Sequence, residues 1–314
     1  MKKGIEVAGS LIVDIIKEIN AFPMQGELVY INHTIKSIGG LVPNDAIDIK
    51  KIDPSIEVMA SGRIGDDDNG RYIIDSLKGF DVRTNHLHVS PKSTSFTDVL
   101  SIPGGQRTFL NYPGATDDFG LDDVCFEYSM LHLGYFMLLK KVDGGDGLAI
   151  LKKAKEKGII TSIDMVSSDA DDYSHILECL PYVDNLIINE YEAGKLLNEQ
   201  VDETNLLESA KKLKSLGVIN RVILHMPSKC SLVDNQEAIE AKTLQIPPKM
   251  IAGTTGAGDA FCSGCLVGIY HDFDNRKILK IAATIAASSL FSADATSAVI
   301  SLGEVDGFYE KYGG

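Results

Sequence analysis

In the second half of the chain, short apolar runs alternate with stretches whose apolar residues recur at helical spacing. Residues 128–133, 159–164, 185–188 and 221–225 have the length and continuity of buried parallel strands. Between and after them, residues 147–157, 170–180, 190–198 and 204–216 carry the helical period. This alternation predicts a doubly wound, mainly parallel α/β sheet flanked by helices, with its ligand crevice at the carboxyl ends of the strands. The first half is less regular. A strand is expected over 5–10, a loop over 23–26, short strands within 27–36, a strand over 56–60 and a helix over 71–77. Ala46, Ile47, Ile49 and Ile52 mark an amphipathic helix with Asn44 in its first turn. Residues 94–100 and 107–112 alternate with period two about the turn Pro103-Gly104-Gly105-Gln106, a hairpin signal. Two helices, 259–270 and 277–293, are expected to close the chain.

The 314 residues allow one large α/β domain with an appendage, or two domains. With 44% hydrophobic residues the chain buries an ordinary core, which argues against disorder. A net charge of −14 argues against nucleic-acid or anionic-membrane partners, because neutralising phosphates needs clustered Lys and Arg. An anionic co-substrate then needs local amides or a metal ion. No apolar run approaches a membrane span and the N-terminus lacks the apolar core of a signal peptide, so a cytoplasmic protein is expected. Five scattered cysteines suit reduced thiols better than a disulfide framework. Cys262 and Cys265 form a C-x-x-C on a predicted helix; with no second Cys or His pair at zinc-like spacing, core packing is the expected role. The fingerprints G-x-G-x-x-G after the first strand and G-x-x-x-x-G-K-[ST] are both absent.

The strongest chemical signal is GTTGAGDAF, residues 253–261, which runs directly into an apolar helix. Its glycines free the backbone to turn and present N–H groups, and the helix N-terminus behind them favours a phosphate. Asp259 is the one carboxylate in that cradle, suited to take a proton from an attacking hydroxyl. A plain helix N-cap accounts for the same residues.

The stretch resembles the C-terminal signature of the PfkB, or ribokinase-like, family of sugar and nucleoside kinases, usually DTxGAGD. The resemblance implies Gly256, Ala257 and Gly258 as the anion hole and Asp259 as the catalytic base. Four further segments are similar to family motifs in the same order. Asp14 matches the early Asp that contacts the acceptor, and Gly39, Gly40 and Asn44 match a GGxxxN motif that holds sugar hydroxyls. Gly65, Asp67 and Gly70 fall in register with GxxGxDxxG, although a solvated turn with a helix-capping Asp explains them as well. Asn189 and Glu192 match N-x-x-E, which holds Mg²⁺ through water, or else simply cap a helix. The family also implies one domain over 1–314, with strands at about 12–36 and 94–113 forming a β-sheet lid over the sugar. Phe96, Phe109 and Tyr112 then either wall the acceptor pocket or pack the lid on the core.

Departures from the pattern fall on the nucleotide side. Where the family has a Thr-x-Gly-x-x-Gly loop, this chain has His225-Met226-Pro227-Ser228-Lys229-Cys230, which implies nucleotide contacts from His225, Pro227, Ser228 and Thr254 on a reshaped loop. Gly253 replaces the Asp around which family members often build a monovalent-cation site, and Asp164-Met165-Val166 lacks the usual Asn and Arg. The expected activity is an ATP- and Mg²⁺-dependent kinase acting on a hydroxyl of a small sugar, with a homodimer through the lid as the expected assembly. The alternatives are a nucleoside kinase of the same fold and a non-catalytic sugar-binding or regulatory protein.

Overall fold

The computed structural model describes residues 1–102, 107–167 and 172–313. The expected turn at 103–106 and the start of the expected helix at 170–180 lie outside the described residues. The first half contains β1 (Lys2–Gly9), β2 (Ile12–Ile19), β3 (Ile31–Gly39), α1 (Leu41–Ile52), β4 (Val58–Gly65), α2 (Asp68–Gly79), β5 (Arg83–Ser90), β6 (Ser95–Ser101) and β7 (Arg107–Tyr112). It is followed by β8 (Tyr128–Phe136), α3 (Gly147–Glu156), β9 (Ile160–Met165), α4 (Ser174–Cys179), β10 (Asn185–Asn189), α5 (Glu190–Leu197), α6 (Leu206–Ser215) and β11 (Arg221–His225). The chain continues through β12 (Lys229–Val233), β13 (Ala238–Lys242), α7 (Ala257–Tyr270), α8 (Asn275–Ser289) and α9 (Val305–Tyr312).

Among the described residues the larger sheet has the order β13-β12-β11-β10-β9-β8-β1-β4-β5, parallel except for β12, which pairs antiparallel with both of its neighbours. Successive residues of its strands enter opposite cores. Ile187 and Ile223 pack with α1, α7 and α8, whereas Leu186, Ile188 and Leu224 pack with α3, α5 and α6. Helices on both faces explain why these strands read as continuous apolar runs. A second sheet, β3-β2-β6-β7, stands apart from the first and forms the lid.

Two expectations need correction, and strand β5 has no counterpart among them. The edge strand β5 carries Arg83, Asn85, His86 and His88 and is partly exposed along its length, so it lacks the apolar run that marks the inner strands. Lys229 and Cys230 are not loop residues: they open β12, with Cys230 paired to His225 and the Met226 amide bonded to the Lys229 carbonyl at 2.9 Å. The expected nucleotide loop is thus a tight hairpin with Pro227 and Ser228 at its tip. Finally, α8 stops at Ser289, because Leu290 turns to accept the Ala252 amide at 2.8 Å, and α9 follows as a third closing helix. Phe308 and Tyr312 of α9 pack on Phe291. Among the described residues no helix is long and apolar enough to cross a membrane.

Candidate active site

The carboxyl ends of β8, β9, β10 and β11 and the N-terminus of α7 converge on one cleft of about 210 Å³. Gly256 is the N-cap of α7 with φ +77°, a left-handed conformation that glycine adopts without strain. Any Cβ there would collide with Ala295. No side chain caps this helix start, and Gly256 and Gly258 line the cleft. The first turn therefore offers N–H groups and the positive end of a 14-residue helix to an anion.

Asp259, one turn in, is buried and held at both oxygens: Tyr135 donates to Oδ1 at 2.5 Å and Asn44 to Oδ2 at 2.8 Å. Burial pushes its carboxyl up to about 6, against the opposing pull of those two donors. Asn44 thus orients the carboxylate, and its own Oδ1 is buried without a partner. Tyr135 was not legible in the sequence. Its only signal was a hydroxyl-bearing aromatic after Gly134 at the end of a buried parallel strand.

Opposite the α7 start, the lid presents a polar row. Strand register puts Ser37, Asp14, Thr97 and Asn111 side by side across β3, β2, β6 and β7. Asn111 donates to Thr97 at 3.0 Å. Asp14 lies over Gly39, where any Cβ would strike its carboxylate. Burial first, and then the nearby Asp259 charge, raise Asp14 to about 6. Gly40 turns the chain into α1 with φ +79°, and its Cβ would crowd Ser10 O at 2.9 Å. The amides of Leu41 and Val42 are bonded to Ser10, so this helix start serves the fold. Phe96 and Tyr112 meet at a tilt on the face of the lid opposite this row, while Phe109 shares the face of Asp14 and is 61% exposed.

On the far side of the cleft, Asn189 and Glu192 form a reciprocal capping box at the start of α5. Glu192 also accepts from Ser167 at 2.9 Å and from Asn189 Nδ2 at 2.8 Å, and burial pushes it up to about 7. Asp164, at the end of β9, lines the same cleft with Oδ1 unpartnered, and burial raises it well above its usual range. Two carboxylates and an amide around an orphaned oxygen fit a hard, oxygen-seeking divalent cation. The sequence had placed Asn189 and Glu192 here but not Asp164.

The nucleotide residues divide. His225 lines the cleft, stacked on Phe261 at 4.5 Å, and burial lowers it to about 4, leaving a neutral ring. Pro227, Ser228 and Thr254 are not among the residues lining it, and Thr243 takes the carbonyls of Pro227 and Ser228 at 2.5 and 3.1 Å. Gly253 brings no carboxylate for a monovalent cation, and even a Cβ there would stand 3.0 Å from Ala293 Cα and from Ser292 O. Asp67 caps α2, accepting the Gly70 amide at 2.9 Å. Cys262 and Cys265 are both buried, and Cys262 lies 3.5 Å from His132, whose ring is 3.3 Å from Asp45.

A helix-start anion cradle, a buried carboxylate within it and a polar lid opposite define a phosphotransferase with an alcohol acceptor. The sequence model of the pfkB family carbohydrate kinases matches residues 2–301, and this chain belongs to that family. Ribokinase of Lactococcus lactis is 24% identical over 302 residues, covering 96% of this chain and 95% of that protein. A nucleoside kinase of Methanocaldococcus jannaschii is 25% identical over 296 residues, covering 90% and 89%. Among solved structures, Arabidopsis thaliana ribokinase complexed with ribose and ATP superposes with a TM-score of 0.82 at 22% identity, covering 98% of this chain and 99% of that one. The protein is a carbohydrate kinase of the ribokinase-like fold.

Proposed function

We propose that the chain transfers the γ-phosphoryl group of ATP to a hydroxyl of a small, uncharged sugar, with Asp259 as the base. The observation that carries this is the Asp259 carboxylate, held by Asn44 and Tyr135 at an uncapped helix start and facing the lid carboxylate of Asp14. Asp14 and Asn44, where Gly39 and Gly40 bring the chain close, position the acceptor. Asp259 takes the proton as the hydroxyl oxygen bonds to the γ-phosphorus, and the bond to the bridging oxygen breaks to release ADP. The amides of Gly256, Ala257 and Gly258 receive the charge on the transferring group. His225 borders the nucleotide as a neutral ring.

Asp164, Asn189 and Glu192 would hold a divalent cation, Mg²⁺ by our reading, directly or through water. That ion would neutralise phosphate charge in a site already rich in carboxylates. The row facing the acceptor carries Asp14, Ser37, Thr97 and Asn111 and no cation, which supports a neutral polyol over a sugar acid or sugar phosphate. The test is coupled ADP release with a panel of pentoses, hexoses, keto-deoxy acids and nucleosides, with Mg-ATP and again with EDTA. Turnover with one neutral sugar, abolished by EDTA, is expected. Turnover confined to nucleosides or acids would overturn the acceptor class.

Two further features support finer readings. Beyond Asp14 on the same lid face lies an apolar row, Ile35, Ile16, Val99 and Phe109, with Ile35 45% and Phe109 61% exposed. A second copy of the lid is its proposed cover, giving a homodimer. Light scattering should return twice the chain mass, and Phe109→Glu should shift it to one; a monomeric wild type would overturn the dimer. The free cysteines, with Cys179, Cys230, Cys262 and Cys265 buried, support a reducing, cytoplasmic setting.

A further inference from the structure

Behind the anion cradle runs the loop that follows α8, and an ammonium group of the chain's own holds it. Lys51, in the last turn of α1, donates from Nζ to the carbonyls of Thr296 at 2.6 Å and Ser297 at 2.8 Å. Asp294 gathers the same turn: its Oδ1 accepts the amides of Thr296 at 3.1 Å and Ser297 at 2.7 Å. Between them Ala295 is buried and fills the space that a Cβ on Gly256 would need. The position of this turn therefore sets the position of the cradle's N-cap. Ser292 and Ala293 of the same loop close the space beside Gly253.

Three carbonyls of this loop are committed within the chain. Leu290 O accepts from Ala252, and Thr296 O and Ser297 O accept from Lys51, whose ammonium is pulled below its usual range by burial, against the opposing charges of Asp48 and Asp294. One helix governs both halves of the chemistry: Asn44 near the start of α1 orients Asp259, and Lys51 at its end fixes the loop that backs Gly256.

We propose that Lys51 is a positioning residue whose ammonium, in place of a bound monovalent cation, orders the Asp294–Ser297 turn and thereby the phosphate cradle. Nucleotide binding and turnover are then independent of added K⁺. The inference rests on the kinase reading for its consequence in turnover but is tested on nucleotide affinity itself.

The experiment is calorimetry with Mg-ADP in KCl and in choline chloride at equal ionic strength, for the wild type, Lys51→Met and Lys51→Arg, with steady-state kinetics beside it. The wild type is expected to bind equally in both salts, within about twofold. Lys51→Met, which strips two carbonyls of a charged donor, is expected to bind roughly tenfold more weakly and to raise the KM of ATP but not that of the acceptor. Lys51→Arg should recover most of the loss. Wild-type affinity rising tenfold or more with KCl, or a silent Lys51→Met, would overturn the proposal. Should Lys51→Met fail to fold, the wild-type salt comparison decides alone. ADP binding without turnover of any acceptor would overturn the kinase reading and leave the Lys51 test intact.

Discussion

Asp259→Asn is expected to lower kcat by about 10² to 10⁴ while ATP and acceptor still bind, because it removes the base and leaves the site's shape. The fold should tolerate the change. Tyr135 can still donate to the amide oxygen, and Asn44, whose Oδ1 has no partner, can turn its amide to accept from the new NH₂. The wild type should also show a characteristic pH limb. Burial raises the Asp259 carboxyl to about 6, so below that pH the base is protonated and cannot accept. Consequently kcat/KM should climb as pH rises through about 6 and then level, and the residual activity of the mutant should show only a shallower limb from Asp14. Asp14 also titrates near 6, so the ascent is the pair's and steeper than one proton would give. Retention of more than about a tenth of the activity by Asp259→Asn would remove it from the role of base.

Asp14→Ala should act on the acceptor rather than on ATP. The carboxylate lies over Gly39, beside Thr97 and within Coulombic reach of Asp259, so a sugar between lid and cradle meets it directly. A carboxylate accepting two hydroxyl bonds contributes about 1.5 to 3 kcal/mol through each. Removing it should raise the acceptor KM by roughly 10² with the KM of ATP unchanged. An acceptor KM within about threefold of wild type would place the sugar elsewhere.

Much of the architecture was legible because inner strands of a doubly wound sheet are buried on both faces, which leaves a pattern that needs no tertiary knowledge. The runs at β9 to β11 were found to within a residue at each end and that at β8 ended three residues early, whereas β5, β12 and β13, at or next to the sheet's edges, left little pattern to read. In the site, the residues found were those in short contiguous motifs: the 253–261 turn, the Gly39-Gly40 turn with Asn44, and the Asn189 to Glu192 cap. Tyr135, Asp164 and Lys51 were missed because each stands alone in its segment. Tyr135 and Asp164 look like ordinary ends of strands, and Lys51 like a solvated helix lysine.

The sequence by itself determined where the backbone turns and what it can offer there. Glycines at Gly40 and Gly256 permit left-handed turns, and an apolar helix after the second points a dipole at the turn. These are local properties, set by φ, ψ and side-chain type within a few residues. Only the tertiary structure decided which groups meet. Asn44 and Asp259 lie 215 residues apart and Tyr135 and Asp259 lie 124, and the 2.8 and 2.5 Å contacts between them exist only because α1, β8 and α7 pack together. The raised affinity of Asp259 and Asp14 for protons has the same origin, since desolvation belongs to the assembled core and to no stretch of chain.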